Sequence, residues 1–285
     1  MNRRKLEVAV ISDVHLGTFG CHASELVSYL RSISPKLLVL NGDIIDIWQF
    51  SKRYWPKAHM KVIKQILHWM GKGVKIYYIT GNHDEMLRKF VGFKMGSLRI
   101  VNKVILPLES GKTAWFFHGD VFDITMQHSK WLAKLGAIGY DTLILINRVV
   151  NFISEKVFKR GKLSLSKKIK NSVKSAVKFI NNFEQTAADI AIENQYDFVV
   201  CGHIHQPEMR EISNDHGKTM YLNSGDWIEN LTALEYLNNE WSIYRFTENE
   251  IEIDKKESAI SEEDDLNDSE LFDNLVEEFN LMRQK

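Results

Sequence analysis

Cysteine is almost missing from this chain: Cys21 and Cys201 are the only two in 285 residues, far apart and without metal-type spacing. Both thiols are expected to be packed or idle, and a reducing compartment is the natural setting. An excess of either charge is also lacking, because 37 Lys and Arg balance 37 Asp and Glu. Bulk electrostatics therefore argues for neither nucleic acid nor an anionic membrane. No stretch reaches the roughly 20 apolar residues that span a bilayer; the nearest, Leu143 to Phe158, is interrupted by Asn147, Arg148, Asn151, Ser154 and Glu155. The opening MNRRKLEVAVISD breaks at Ser12 and Asp13, too early for a signal segment, and reads as a first strand. These absences predict a cytosolic protein that at most lies on a membrane surface. The length suits one sizeable domain with an insertion, or two small ones.

What is present is an alternation of short apolar runs and helical patterns. The runs are Leu6–Ile11, Leu37–Leu40, Val74–Ile79, Thr113–Phe117 and Phe198–Cys201, with helical spacing over Ala23–Ser32 and His59–Met70 between the first three. Continuous β-branched runs suggest strands covered on both faces, as in an α/β layered fold. Met220–Leu222, Thr232–Tyr236 and Trp241–Phe246 read as an antiparallel meander, with Asn238-Asn239 as a hairpin turn. Residues 125–194 show helical periodicity without strand signal and form a predicted helical insertion. Its middle is basic, from Lys156 through Lys162, Lys167, Lys168, Lys170 and Lys174 to Lys178. Residues 1–124 and 195–247 make the predicted core. Residues 248–285 make an acidic tail with the run Glu262–Asp265, in which Leu271–Met282 has the pattern of a short amphipathic helix.

Every dense polar motif stands just after an apolar run. Asp13 and His15 follow the first, Asn41-Gly42-Asp43 and Asp46 the second, and Gly81-Asn82-His83-Asp84 the third. His118-Gly119-Asp120 follows the fourth and Gly202-His203-Ile204-His205 the fifth. In an α/β sheet the carboxyl ends of the strands share one edge, where ligands bind. Five polar clusters are thus predicted to converge. Asp13 with His15, and His203 with His205, are two apart, so in extended backbone each pair points one way. Glycine before a cluster allows a sharp turn and close approach to an ion. Mixed imidazole and carboxylate donors suit Mn, Fe or Zn, and gathering them without a cation is costly. His22, His59, His68, His128 and His216 lie outside these clusters and are expected to be surface or packed histidines.

As a set, Asp13-x-His15, Gly42-Asp43-x-x-Asp46, Gly81-Asn82-His83-Asp84, His118 and Gly202-His203-x-His205 resemble the signature of the calcineurin-like metallophosphoesterases. That resemblance implies a four-layer α/β/β/α sandwich and two divalent metal ions, manganese before iron or zinc. Asp13, His15 and His205 would hold one metal, Asn82, His118 and His203 the other, with Asp43 between them. His83, oriented by Asp46, would be the proton donor to the leaving group. Two-metal chemistry implies attack by a bridging hydroxide.

Within the family the chain looks like the UDP-2,3-diacylglucosamine pyrophosphatases of lipid A synthesis. Trp48 after the Gly-Asp motif, the intact His118-Gly119-Asp120, Asn171-Ser172-Val173-Lys174-Ser175 in the insertion and Gly225-Asp226-Trp227 carry that likeness. It implies that the insertion is a lid over acyl chains, that Trp48, Asn171, Ser172, Lys174, Asp226 and Trp227 contact substrate, and that the partner is a nucleotide-linked lipid. No nucleic acid or protein partner is expected, and the implied place is the cytoplasmic face of the inner membrane. The best-known members of that branch carry Arg where this chain has His83. A phosphodiesterase or phosphatase acting on another nucleotide-linked or phosphorylated substrate is therefore the alternative.

Overall fold

The computed structural model describes residues 3–49, 54–122 and 180–247. Asn171, Ser172, Lys174, the basic stretch and the acidic tail lie outside them. The chain divides into two compact units, Met1–Gly119 with Ala188–Lys285, and Asp120–Ala187.

The first unit is built on two sheets. Strands β1 (Arg4–Ile11), β2 (Ile33–Asn41) and β3 (Lys75–Ile79) run parallel at the centre of the first, joined by helices α1 (Ala23–Ser32) and α2 (Lys57–Gly71). On one side β5 (Leu98–Val101) continues the parallel order and β4 (Lys94–Met95) closes the edge. On the other side β11 (Thr232–Leu237) and β12 (Glu240–Arg245) run antiparallel. The second sheet has the order β6 (Lys103–Pro107), β7 (Thr113–Phe117), β8 (Phe198–Cys201), β10 (Gly217–Asn223), β9 (Glu208–Asn214), and β7, β8 and β10 are mutually parallel.

The two-residue period of a strand sorts the side chains into layers. Ala9 and Ile11, Leu38 and Leu40, and Ile76 and Tyr78 face α1 and α2, where Leu26, Leu30, Val62 and Trp69 are buried. Val8, Val10, Val39 and Ile79 face the opposite way. They meet Ala114, Phe116, Phe198, Val200 and Leu222 of the second sheet in an apolar seam closed by Leu234, Tyr236 and Trp241. The helical turns at 188–193 complete a fourth layer: Ala188, Ala191 and Ile192 are buried, and Asp189 Oδ1 accepts a hydrogen bond from Asn214 Nδ2 (2.8 Å). Pro35 sits opposite Leu6, before β3 begins to pair with β2 at Leu37, where its missing N–H leaves no ladder partner unmet.

The five apolar runs all form strands, but two findings correct the sequence reading. The expected meander is split: β10 belongs to the second sheet, while β11 and β12 close the first. The loop between them crosses from sheet to sheet through Gly225, whose φ of 71° is left-handed. β4, β6 and β9 are strands that the five runs do not include. All three lie at sheet edges, where backbone pairing holds them and half their side chains meet water. The Asn238-Asn239 turn does form, and both residues have the positive φ (52° and 66°) that a type I′ hairpin turn requires.

Leu222→Ala in the seam between the sheets is expected to cost about 2–5 kcal/mol. Leu237→Ala at the exposed hairpin should stay within about 0.5 kcal/mol. Urea titration followed by tryptophan fluorescence separates the two, since Trp241 reports on the seam.

Candidate metal centre

The carboxyl ends of β1, β2, β3, β7 and β8 deliver the five motifs to one place, and backbone bonds stitch their loops together. Asp13 N donates to Gly42 O (3.1 Å), Val14 N and His15 N both to Asp43 O (2.9 Å each), and Asp46 N to Leu16 O (2.9 Å). Gly202 N donates to His118 O (2.9 Å), and His118 Nδ1 to Asn41 O (2.8 Å). The last bond ties the second sheet to the first and turns His118 Nε2 toward Asp43 Oδ2, 3.2 Å away.

The two buried aspartates do the same work with their side chains. Asp13 Oδ2 accepts from His203 N (3.0 Å), and Asp43 Oδ1 from His83 N (2.8 Å). Each thus spends one oxygen on the backbone of another motif and keeps the second for the centre. Three triads result: Asp13, His15 and His205; His15, Asp43 and His83; and Asp43, His118 and His203. Within each, the donor atoms all lie within 4.8 Å of one another. The first brings together Asp13, His15 and His205 of one expected ligand set; the third brings together His118 and His203 of the other with Asp43, which stands in two of the three triads. Among the described residues, the buried atoms His15 Nε2 and Asn82 Oδ1 at the centre have no hydrogen-bond partner. Buried polar atoms of this kind are costly unless something meets them, so this donor set fits divalent cations.

The local backbone differs from expectation. Asp13 and His15 are not in extended backbone; their φ angles are 50° and 52°, with 53° at Asp43, 69° at His203 and 54° at His205. Each ligand pair is brought together by left-handed turns rather than by strand alternation. Of the glycines, Gly42 has a positive φ (85°), and a Cβ there would strike the His118 ring. At Gly81 a Cβ would meet the Asp43 carboxylate, and at Gly202 it would meet Asp13 Oδ2 at 2.6 Å. These last two are needed for space, not for a turn.

Asp46 Oδ2 accepts from His83 Nδ1 (2.9 Å) and stands 3.6 Å from His15 Nδ1. It fixes the His83 tautomer so that Nε2 is the atom left for a substrate. Burial alone would lower the His83 pKa, but the hydrogen bond to Asp46 and the charges of Asp43 and Asp46 outweigh it and raise it above the ordinary 6.5. At Asp13 burial works upward, yet His205 and His118 hold the carboxyl at about 2. His205 is in turn raised to about 9 against the effect of burial, chiefly by Asp13.

The predicted substrate contacts fare differently. Trp48 is exposed, and its Nε1 donates to the carbonyl of Asn82 (3.0 Å), which places the indole at the rim. Trp227 is a correction: its ring is buried in the core near Tyr29, and its backbone N donates to Asp13 O (3.1 Å). Asp226 is also buried. Its Oδ1 accepts from Ile228 N (2.8 Å), Glu229 N (2.5 Å) and Asn230 N (3.2 Å), so the carboxylate is committed to its own loop, with Oδ2 3.9 Å from His205 Nδ1. Asp226 and Trp227 support the ligand loops from beneath. His59 is the packed histidine expected, accepting from Gly17 N (3.0 Å).

Sequence reasoning left two supports without a role. Asp84 Oδ1 accepts from Gly81 N (2.6 Å), and its Oδ2 accepts from Ile44 N (3.1 Å) and Tyr78 OH (2.6 Å), which locks the second motif to the third. Burial, with Asp43 nearby, lifts its carboxyl to about 6. Asn223 Nδ2 donates to Gly202 O (2.9 Å), and Ser224 Oγ shares a hydrogen bond with Ser12 Oγ (2.7 Å). Asn223-Ser224-Gly225 follows an apolar run as the other motifs do, and that was the available signal.

A family model described as calcineurin-like phosphoesterase matches residues 6–207. The chain belongs to that family and is a metal-dependent phosphoesterase. Among curated relatives, a UDP-2,3-diacylglucosamine hydrolase of Blochmanniella pennsylvanica is 24% identical over 73% of this chain and 82% of its own length. A protein of the same name from Aliivibrio fischeri is 24% identical over 84% of this chain and 98% of its own. A solved dimetal phosphatase from Danio rerio is 10% identical, covers 84% of this chain and 95% of its own, and superposes with a TM-score of 0.40, a likeness too loose to build on.

Gly42→Ala should cost most of the bound metal, because the new methyl displaces His118. Elemental analysis of the purified protein is expected to show at least half of the wild-type metal gone, whereas Gly73→Ala, on an open turn, should change stability alone.

Proposed function

We propose that this protein hydrolyses the diphosphate of a UDP-linked diacylated glucosamine, UDP-2,3-diacylglucosamine, to UMP and the acylated sugar 1-phosphate. The observation that carries the reading is that relatives named for this substrate align along 82% and 98% of their own lengths with this chain. In the proposal Asp13, His15 and His205 would hold one divalent cation, manganese by preference, and Asn82, His118 and His203 a second, with Asp43 able to serve both. When bound they supply positive charge for the phosphoryl oxygens and acidify water.

The chain's own groups do the rest. Water oxygen adds to the α-phosphorus and gives up a proton to solvent, the bond from that phosphorus to the bridging oxygen breaks, and the sugar phosphate leaves with its electron pair. His83 Nε2 hands the departing oxygen a proton, and Asp46 stabilises the imidazolium that must be present beforehand. Such proton donation is typically worth about 10²–10⁴ in rate. Trp48 offers an exposed aromatic face at the rim for the nucleotide or sugar. In this reading the protein works in the cytoplasm, at the cytoplasmic face of the inner membrane. His83, where the lipid-specific branch carries Arg, favours a second reading in which the substrate is another nucleotide-linked phosphodiester.

Purified protein loaded with manganese should release UMP from the lipid substrate, and hydrolysis in ¹⁸O water should label UMP rather than the sugar phosphate. Label in the sugar phosphate, or no UMP alongside brisk cleavage of small phosphodiesters, would overturn the assignment.

Because the donor must be protonated, kcat is expected to fall as pH rises through the His83 pKa, which lies above 6.5. Asp46→Asn removes the group that raises it and should move that fall to lower pH. His83→Gln should lower kcat by about 10²-fold or more and abolish the alkaline fall.

A further inference from the structure

Between Glu85 and Glu109 the chain contains no acidic residue and five basic ones, Arg88, Lys89, Lys94, Arg99 and Lys103. In a molecule of zero net charge this is a strong local imbalance. It coincides with an unusual surface: residues 88–96 are all exposed, and among them Phe90 (37%), Val91 (41%), Phe93 (50%) and Met95 (45%) present large apolar side chains to water. Four large apolar side chains exposed within six residues mark a contact site more often than scattered single residues do.

The segment is not loose. Phe93 N donates to Phe90 O (2.9 Å), Gly92 N to Ile100 O (2.9 Å) and Ile100 N to Phe93 O (3.1 Å), and Lys94 pairs with Arg99 across β4 and β5. Its backbone needs are met within the fold, so the apolar tips are held outward rather than waiting for the chain to close over them. Arg88 reaches back to Gly81 O (3.4 Å) and the Arg99 guanidinium lies over the Tyr77 ring. Lys89 and Lys94 flank the apolar tip.

We propose that this edge of the first sheet docks onto an anionic lipid bilayer. Phe90, Val91, Phe93 and Met95 enter the headgroup and acyl boundary, and Lys89 and Lys94 meet the headgroup charge. Apolar tips ringed by cations are the combination that interfacial binding requires, neither part being strong enough alone. No helix among the described residues is long and apolar enough to cross a membrane, so this contact is made from the surface.

Placement adds a reason. The segment leaves the third motif directly, beginning at Glu85 after Asp84. Phe93 is level with Ile100, which pairs with Tyr78 near the carboxyl end of β3. Phe93 therefore lies toward the end of the sheet that carries the metal centre, and Met95, opposite Leu98 and so level with Ile76, extends the edge toward the other end. This deepens the reading of the substrate as lipid-linked, because a bilayer held there brings that substrate to the mouth.

The test uses the full chain, metal-loaded, floated with vesicles of phosphatidylcholine alone or mixed with phosphatidylglycerol. Binding is expected to the anionic vesicles, weakening with salt. It should fall about ten-fold in Phe90→Ser/Phe93→Ser and similarly in Lys89→Glu/Lys94→Glu. Both variants should keep wild-type hydrolysis of a small water-soluble phosphodiester, which shows the fold and the metal centre intact. The proposal is overturned if the wild type ignores anionic vesicles, if both variants bind as well as it does, or if the serine variant dissolves a dimer while no protein floats. No lipid-linked nucleotide is present in the assay, so its outcome is separable from failure to release UMP.

Discussion

Two carboxylates and several imidazoles must be held within a few ångströms of one another at the end of a sheet, and the rest of the molecule is arranged around that demand. Asp13 and Asp43 are almost wholly buried, and the charge of Asp43 raises the cost of ionising Asp13. Their loops also carry left-handed backbone at five non-glycine ligands. Backbone of this kind costs on the order of 1–3 kcal/mol per residue and persists only where the surroundings over-determine it. The surroundings here are two apolar cores, one on each face of the first sheet, which fix the strand ends before any ligand is considered.

The strain is distributed by a ring of hydrogen bonds between motifs. The first motif binds the second through Asp13 N and the fifth through Asp13 Oδ2; the second binds the third through Asp43 Oδ1. The fourth joins the second through His118 Nδ1, and the fifth joins the fourth through Gly202 N. Asp84 adds a second clasp between the second and third, with Tyr78 holding it from within the sheet. No ligand can move without disturbing the backbone of a neighbouring loop. Such preorganisation is how a donor set keeps its geometry in the absence of slack side chains.

Much of this was legible in the chain because apolar runs and polar punctuation alternate so regularly. Strands covered on both faces must read as continuous apolar stretches, and those five were found. Residues that face each other across a strand end need no long-range information to be noticed, since each polar cluster directly follows its strand. The edge strands β6 and β9 were hidden for the opposite reason: each is only partly covered, β6 alternating exposed and half-buried positions along a short run, and β9 carrying Glu208, Arg210, Glu211 and Asn214. Trp227 misled because its neighbours suggested a ligand contact, whereas an indole beside Tyr29 fills the core under the Asp13 loop. The pairing of Asp13 with His15 was right in outcome and wrong in cause, as a left-handed turn also brings alternate side chains together.

The glycines show how tightly chemistry and packing are joined. Gly81 and Gly202 precede their ligands in sequence, which invites an explanation from flexibility, yet neither has a left-handed φ. What each lacks is a Cβ, and the space it leaves is filled by a carboxylate from a different motif, Asp43 in one case and Asp13 in the other. The rim obeys a different rule. Trp48 is bound by one bond to the Asn82 carbonyl and otherwise faces water, so it is free to meet different ligands without altering the ligand geometry beneath it. A rigid floor that admits almost no substitution and a rim that admits many would let one metal centre serve many phosphoesters.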